Sequence, residues 1–283
     1  MYEKINNITF LELKKSFTHS IVDLENYPKL MSFNCAEIGI IKSIINIPDE
    51  LYELDCEGNM IEYLDGLGSD LAKLNCSHNE LTLLNNLPFG LKWLNCSWNK
   101  IKHLDMTPEG LEYLDCSYNQ LERLENLPQS LIVLICNNNI IQSIDYLPTS
   151  LTDLICNDNK IWGFTSLPSN LVKLYCSSNN IDMFVKLDGL GYLEEVDLSN
   201  NKITGIGMDL SGCDNLRILN CSRNNISKLP ELPEQLEELH IHSNPLDTIT
   251  HLPIGLEVIG VDKNILSDNI VLSKNLLILS NTR

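Results

Sequence analysis

Apolar residues recur along this chain in a fixed phrase, Leu-x-x-Leu-x-Cys-x-x-Asn-x-Leu. It starts at Leu51 and returns every 20 residues, at Leu71, Leu91, Leu111, Leu131, Leu151 and Leu171. It resumes at Leu193 and Leu216 after spacings of 22 and 23, then at Leu236 and Leu256 after 20 each. Val196 and Ile259 stand in for the second leucine; a degenerate unit (Leu30, Phe33, Cys35) precedes the series and a truncated one (Leu276, Leu279) follows. Within each unit x-Leu-x-Cys-x alternates with period two, so it predicts a short strand with leucine and cysteine facing a core and their neighbours facing out. One such coil cannot bury its own apolar side. Stacked coils pair their strands in parallel and share a core, which predicts a mostly β, α/β solenoid of about thirteen strands.

Two polar or small columns accompany the leucines. Asn59, Asn79, Asn99, Asn119, Asn139, Asn159, Asn179, Asn201, Asn224, Asn244 and Asn264 fall where the chain leaves each strand. A carboxamide has donors and an acceptor, and can satisfy the backbone groups that lose their ladder partners there. Cys35, Cys56, Cys76, Cys96, Cys116, Cys136, Cys156, Cys176 and Cys221 form the other column, with Leu198, Ile241 and Val261 in the same position. Cysteine is therefore a small apolar core residue in this phrase. Parallel in-register strands set these thiols side by side, the spacings are not those of zinc ligands, and a column of free thiols suits a reducing, cytoplasmic compartment. Cys213 lies off the column, under the side opposite the strands.

Residues 1–29 read as a separate element. Thr9-x-x-Glu12 has the form of a capping box, Ile8 and Leu13 could staple it, and Phe10, Leu13, Phe17, Ile21 and Leu24 follow helical spacing. The expectation is a helical cap from about Phe10 to Leu24 over the open end of a continuous solenoid spanning 30–283. Residues 185–215 carry longer units without Leu-Pro, and predict a local change of curvature with a short 3₁₀ or helical turn.

This phrase resembles the leucine-rich repeat superfamily over residues 30–283. Leu-Pro precedes many strands (Leu87-Pro88, Leu127-Pro128, Leu147-Pro148, Leu167-Pro168, Leu232-Pro233, Leu252-Pro253), and the stretch at 229–239 reads LPELPEQLEEL. These features are similar to the short-repeat subclass of bacterial effectors delivered into host cells. The cysteine column and the Asn/Ile-rich composition also resemble leucine-rich repeat proteins of large DNA viruses of amoebae. The resemblance implies a horseshoe with a concave parallel sheet, an extended or 3₁₀ convex side, and a role in host–pathogen interaction, inside the host cell if the source is a pathogen or virus. Effectors of that subclass often carry a C-terminal ubiquitin-ligase domain. The chain ends seven residues after Leu276, so no such domain is expected.

Charge narrows the function. Among 283 residues there are 20 Lys+Arg against 38 Asp+Glu, a net charge of −18. That balance disfavours nucleic acid and anionic lipid, both of which call for basic surface. No apolar run approaches a membrane span, and the N-terminus has no secretory pattern. No catalytic constellation or phosphate loop is present in the sequence, so neither an enzyme nor a cofactor is expected. His240 and His242, with Glu238 and Asp262, raise the question of a metal, but equivalent positions elsewhere hold ordinary polar residues such as Asn220 and Ser222. The expectation is no metal.

Function would then lie in the outward columns. Counted from the first leucine of a unit, these are the third, fifth, seventh and eighth positions. Trp93, Trp98, Tyr113, Tyr118, Val133, Ile135, Ile155 and Tyr175 cluster on consecutive units, with His78 and Asp153 beside them. Glu53, Asp55, Asp115 and Asp158 flank the group, and small Ser77, Ser97, Ser117, Ser177, Ser199 and Ser222 fill the seventh position. Grouped outward aromatics are the composition of an interface core. They predict a monomeric, non-catalytic scaffold whose protein partner carries a basic rim. Aromatics also have high strand propensity, which offers a purely structural account. Self-association and weak carbohydrate binding on the rings are the alternatives.

Overall fold

Three-residue strands recur where the Leu-x-Cys alternation places them, in a computed structural model that describes residues 7–104, 107–182, 187–204, 209–262, 265–267, 272 and 275–281. The chain forms two compact units, Met1–Ile140 and Ile141–Arg283. In the first, β1 (Phe10–Glu12), β3 (Ser32–Asn34), β5 (Glu53–Asp55), β6 (Lys73–Asn75), β7 (Trp93–Asn95), β8 (Tyr113–Asp115) and β9 (Val133–Ile135) follow one another in a parallel ladder. The intervening β2 (Ile21–Asp23) and β4 (Ser43–Ile45) pair in a small parallel sheet of their own. In the second unit, β10 (Asp153–Ile155), β11 (Lys173–Tyr175), β12 (Glu195–Asp197), β13 (Ile218–Asn220), β14 (Glu238–His240), β15 (Val258–Asp262) and β16 (Leu277–Asn281) do the same. Each unit is a parallel β-solenoid of stacked coils. The register matches repeat position to repeat position, as in Leu74↔Leu94 and Leu94↔Leu114.

The coil that starts at Leu91 shows how the phrase folds. Leu91, Leu94, Cys96, Ile101 and Leu104 are buried while Trp93 and Asn95 are half-exposed. Asn99 closes the strand side: its Nδ2 donates to the carbonyls of Cys76, Cys96 and Ser97 at 3.0–3.1 Å, and its Oδ1 accepts from Leu81 N at 2.9 Å. The same set recurs through both units, so the amide column supplies the backbone partners the ladder lacks at the turn. Asn264 lies outside the described residues. On the return side, Pro88, Pro108 and Pro128 are buried rather than solvent-facing, and their carbonyls accept from Leu91, Leu111 and Leu131 N at 3.0–3.1 Å.

The N-terminal helix is replaced by strands. Leu11 pairs in register with Phe33, and Val22 with Ile44, so residues 10–24 build a coil of the solenoid instead of a cap laid over it. The helical stripe does not survive: Phe10 is 59% and Ile21 55% exposed, whereas Val22 and Leu24 are buried. The reason is the open edge of β3. A helix would leave that row of backbone groups without partners, while a strand satisfies them in the register used by every other coil. Leu11-Glu12-Leu13 was the legible signal, since it repeats the inward-outward-inward alternation of Leu-x-Cys. No helix occurs among the described residues. The irregular stretch at 185–215 falls partly outside them, at 183–186 and 205–208; in the rest, the Gly189 and Gly212 backbones pack so closely that a Cβ on Gly212 would lie 3.1 Å from Gly189 Cα.

Candidate functional site

In the first unit, two rows of outward side chains run across β5–β9. The third-position row begins with Glu53, whose Oε1 lies 2.7 Å from Lys73 Nζ. Lys73 in turn sits 5.4 Å from the Trp93 ring centroid, a cation–π distance, and Trp93 stacks on Tyr113 with centroids 5.1 Å apart and planes 11° from parallel. Val133 continues the row next to Tyr113. The strand spacing of about 4.8 Å dictates this stacking, because in-register parallel strands repeat equivalent side chains at that interval.

The eighth-position row is a second stack. His78 and Trp98 centroids are 5.1 Å apart, Trp98 and Tyr118 3.8 Å, each pair 11° from parallel. Trp98 is 48% and Tyr118 41% exposed. These three residues do not belong to the strands. They occupy the turn after them with φ of 52°, 54° and 53°, in the left-handed region. Glu37, Gly58 and Asn138 hold the equivalent positions in this unit, and Asp158, Ser178, Asn200, Arg223 and Ser243 in the other. Glycine and asparagine are the residues that accept this backbone readily; a bulky aromatic there carries roughly 1–2 kcal/mol of conformational cost. Strand propensity therefore does not explain Trp98 and Tyr118.

The fifth and seventh positions are structural to a degree that the pattern did not reveal. Asn75, Asn95 and Asp115 turn their Oδ1 back onto the N–H two residues on, Ser77 at 3.3 Å, Ser97 at 3.0 Å and Ser117 at 2.9 Å. This Asx turn ends the strand and swings the seventh residue inward. Ser77, Ser97, Ser117 and Ser222 are buried, so in those coils the seventh position is not open surface for a partner, whereas Ser177 and Ser199 are half-exposed. The Asn-Cys-Ser triplets at 75, 95 and 220 are these caps.

The second unit holds the other candidates. Asp153 and Ile155 lie on β10 and Tyr175 on β11, all half-buried, with Ile155 paired to Tyr175. Asp153 Oδ2 accepts from Thr152 Oγ1 at 2.6 Å. The Tyr175 hydroxyl donates to Glu195, which also pairs with Lys173 at 3.0 Å. Burial, then this carboxylate, push the Tyr175 phenol up to about 12, and the phenol's hydrogen bond lowers the Glu195 carboxyl. Because Tyr175 occupies a fifth position it cannot cap Ser177. The Asn157 Oδ1 of the preceding coil does so, accepting from Ser177 N at 2.8 Å and Oγ at 2.9 Å.

The two histidines differ in their surroundings. His240 is on β14, its ring against Gly260, where an added Cβ would lie 2.7 Å from Nδ1. His242 lies past the strand at the seventh position; burial lowers its pKa, against the pull of Asp262. Asp262 Oδ2 accepts from Ser243 N at 2.5 Å. Among the described residues no group of three His, Cys, Asp or Glu is placed to hold a metal. All ten cysteines are buried and none is in a disulfide, and burial raises the thiols of Cys35, Cys76 and Cys221 to about 12. The Cys213 Sγ donates to Leu187 O at 3.0 Å.

A family model of leucine-rich repeats in two copies matches residues 193–234. No curated protein matches the sequence. Solved structures do. YopM from Yersinia enterocolitica aligns at 29% identity and a TM-score of 0.80 over 90% of this chain, and the functional domain of InlJ from Listeria monocytogenes, which includes a cysteine ladder, at 26% and 0.71 over 90%. This chain spans 60% and 64% of those two. YopM from Yersinia pestis, a leucine-rich effector protein, shares the fold at 23% identity and a TM-score of 0.74, over 97% of this chain and 89% of its own. With its strands in register on the repeat and its amide column closing the described turns, the chain has the leucine-rich repeat fold, and residues 193–234 carry the family's own signature.

Proposed function

We propose that the chain is a non-catalytic protein-interaction scaffold whose partner docks on the outward face of the sheet, across the aromatic rows of the first unit. Leucine-rich repeat proteins bind through the surfaces that stacked coils align. The observation that carries the reading is the His78–Trp98–Tyr118 stack: exposed rings at backbone positions where folding favours glycine or asparagine. Residues kept against their own conformational preference point to a role outside folding.

The stacking geometry also separates the alternatives. Trp98 has His78 on one side and Tyr118 on the other, and Trp93 has Lys73 and Tyr113. Both indoles have their faces occupied and present edges outward. A sugar or a base needs an open ring face, whereas the side chains of a protein pack against edges, so the geometry favours a protein partner. The net charge of −18 supports a basic rim on it, and the buried thiols, none of them in a disulfide, suit a reducing compartment.

The test is affinity capture from lysate of the source or host cell, with wild type beside a Trp93→Ser/Trp98→Ser variant whose circular dichroism is unchanged. A protein retained by wild type and lost by the variant is the expected result. Identical captures from both would end the claim for this face, and a wild-type mass in solution of two or more copies would move the reading to self-association.

A further inference from the structure

Asp115 stands out among the outward residues of the first unit. It is the last residue of β8 and the fifth of its coil, lying in the chain between Tyr113 of one aromatic row and Tyr118 of the other. Its structural duty needs only one oxygen, the Oδ1 that accepts from Ser117 N. Asn75, Asn95 and Asn220 perform the same duty with a neutral amide. The negative charge at 115 is therefore not required by the turn. Lysines of the same unit pair with other carboxylates: Lys73 with Glu53, Lys92 with Glu112, Lys100 with Glu80. Among the described residues no lysine or arginine pairs with Asp115. The residue is half-buried, and its field reaches the Tyr113 phenol, whose pKa burial raises first and Asp115 raises further.

We propose that Asp115, with Trp93, Tyr113, Trp98 and Tyr118 about it, is the recognition site for an arginine or lysine side chain of the partner. The inference rests on the docking reading above and names the chemistry it selects. The carboxylate supplies the charge and a second oxygen that the Ser117 cap does not use, the two phenol oxygens are further acceptors, and the ring edges take the methylene stem by dispersion. The chain already shows the same combination once, in Lys73, which is held by a carboxylate and lies against the Trp93 ring. The excess of 38 acidic over 20 basic residues steers a cationic partner toward the surface, and the aromatics give the site its selectivity.

The experiment pans displayed random-sequence peptides on the full chain, then measures the enriched peptides against Asp115→Asn and Trp98→Ser. The asparagine variant keeps the Ser117 cap, as three other coils do, so its fold is retained and only the charge is lost. The expected result is a shared Arg or Lys in the enriched peptides, with affinity lowered about tenfold by Asp115→Asn and by replacing that residue with citrulline or glutamine. Peptides that need Trp98 but carry no basic residue, or bind Asp115→Asn as tightly as wild type, overturn the cation site and leave docking on the aromatics standing. Failure to enrich, or indifference to Trp98→Ser, overturns both.

Discussion

At the scale of single residues, the fold depends on side chains that act as backbone. Asn99 reaches three carbonyls and one N–H from a position 8% exposed. Asn99→Ala leaves Leu81 N without its partner in a site closed to water and takes one of two donors from the carbonyls of Cys76, Cys96 and Ser97, so a loss of roughly 1–3 kcal/mol is expected in urea unfolding. A change near zero would show that water replaces the amide and that the column is not structural. The asparagines were readable from the sequence because one per coil, always at the strand exit, has no other economical explanation. The φ values of His78, Trp98 and Tyr118 were not. Nothing in the pattern distinguishes a strand aromatic from one on a left-handed turn, and that distinction separates a packing residue from a functional candidate.

At the scale of elements, the unit of design is the cap that ends each strand. Where Asn or Asp holds the fifth position, the coil caps itself; where Tyr175 holds it, Asn157 caps from the coil before. Exchange between these two solutions releases the fifth position for an apolar or aromatic group. Asn157→Ala removes the acceptor of Ser177 N and Oγ and is expected to cost about 1–2 kcal/mol. Adding Tyr175→Asn recreates the cap used at Asn75 and should restore most of that loss in chemical denaturation. A double variant no more stable than the single one would refute the exchange. The N-terminal strands belong to this scale too. Phe10, Leu13, Phe17, Ile21 and Leu24 fit a helix, yet β3 offers an unpaired edge, and hydrogen bonding to that edge decides against the helical period.

At the scale of the molecule, stacked coils turn single positions into columns, and the thiols are the clearest case. Burial raises Cys35, Cys76 and Cys221 from the ordinary value of 9.0 to about 12. The sign follows from proton linkage: above about pH 9 the unfolded chain releases thiol protons that the folded chain keeps, so stability is complete below that pH and falls as pH climbs toward 12. Each buried thiol contributes a loss on the order of 1 kcal/mol near pH 10. Urea midpoints should therefore drop between about pH 7 and pH 10, and drop less when Cys76, Cys96 and Cys116 are replaced by valine, a residue the column accepts at Val261. The native thiols should also resist a bulky labelling reagent until the chain unfolds. Rapid labelling of the folded protein would contradict the buried column.

The sequence alone determined the repeat, the strand positions, the inward leucines and cysteines and the closing asparagines. Each of these is a local rule applied once per coil, and repetition makes a local rule visible. It also placed Trp93 beside Tyr113 and Trp98 beside Tyr118, because in-register stacking turns a spacing of 20 into contact. Tertiary structure decided which outward positions are open. Ser77, Ser97, Ser117 and Ser222 face in because an Asx turn rotates the chain, and residues 10–24 join the solenoid because an edge was unpaired. These outcomes turn on where backbone donors and acceptors find partners in three dimensions, which hydrophobic spacing does not encode.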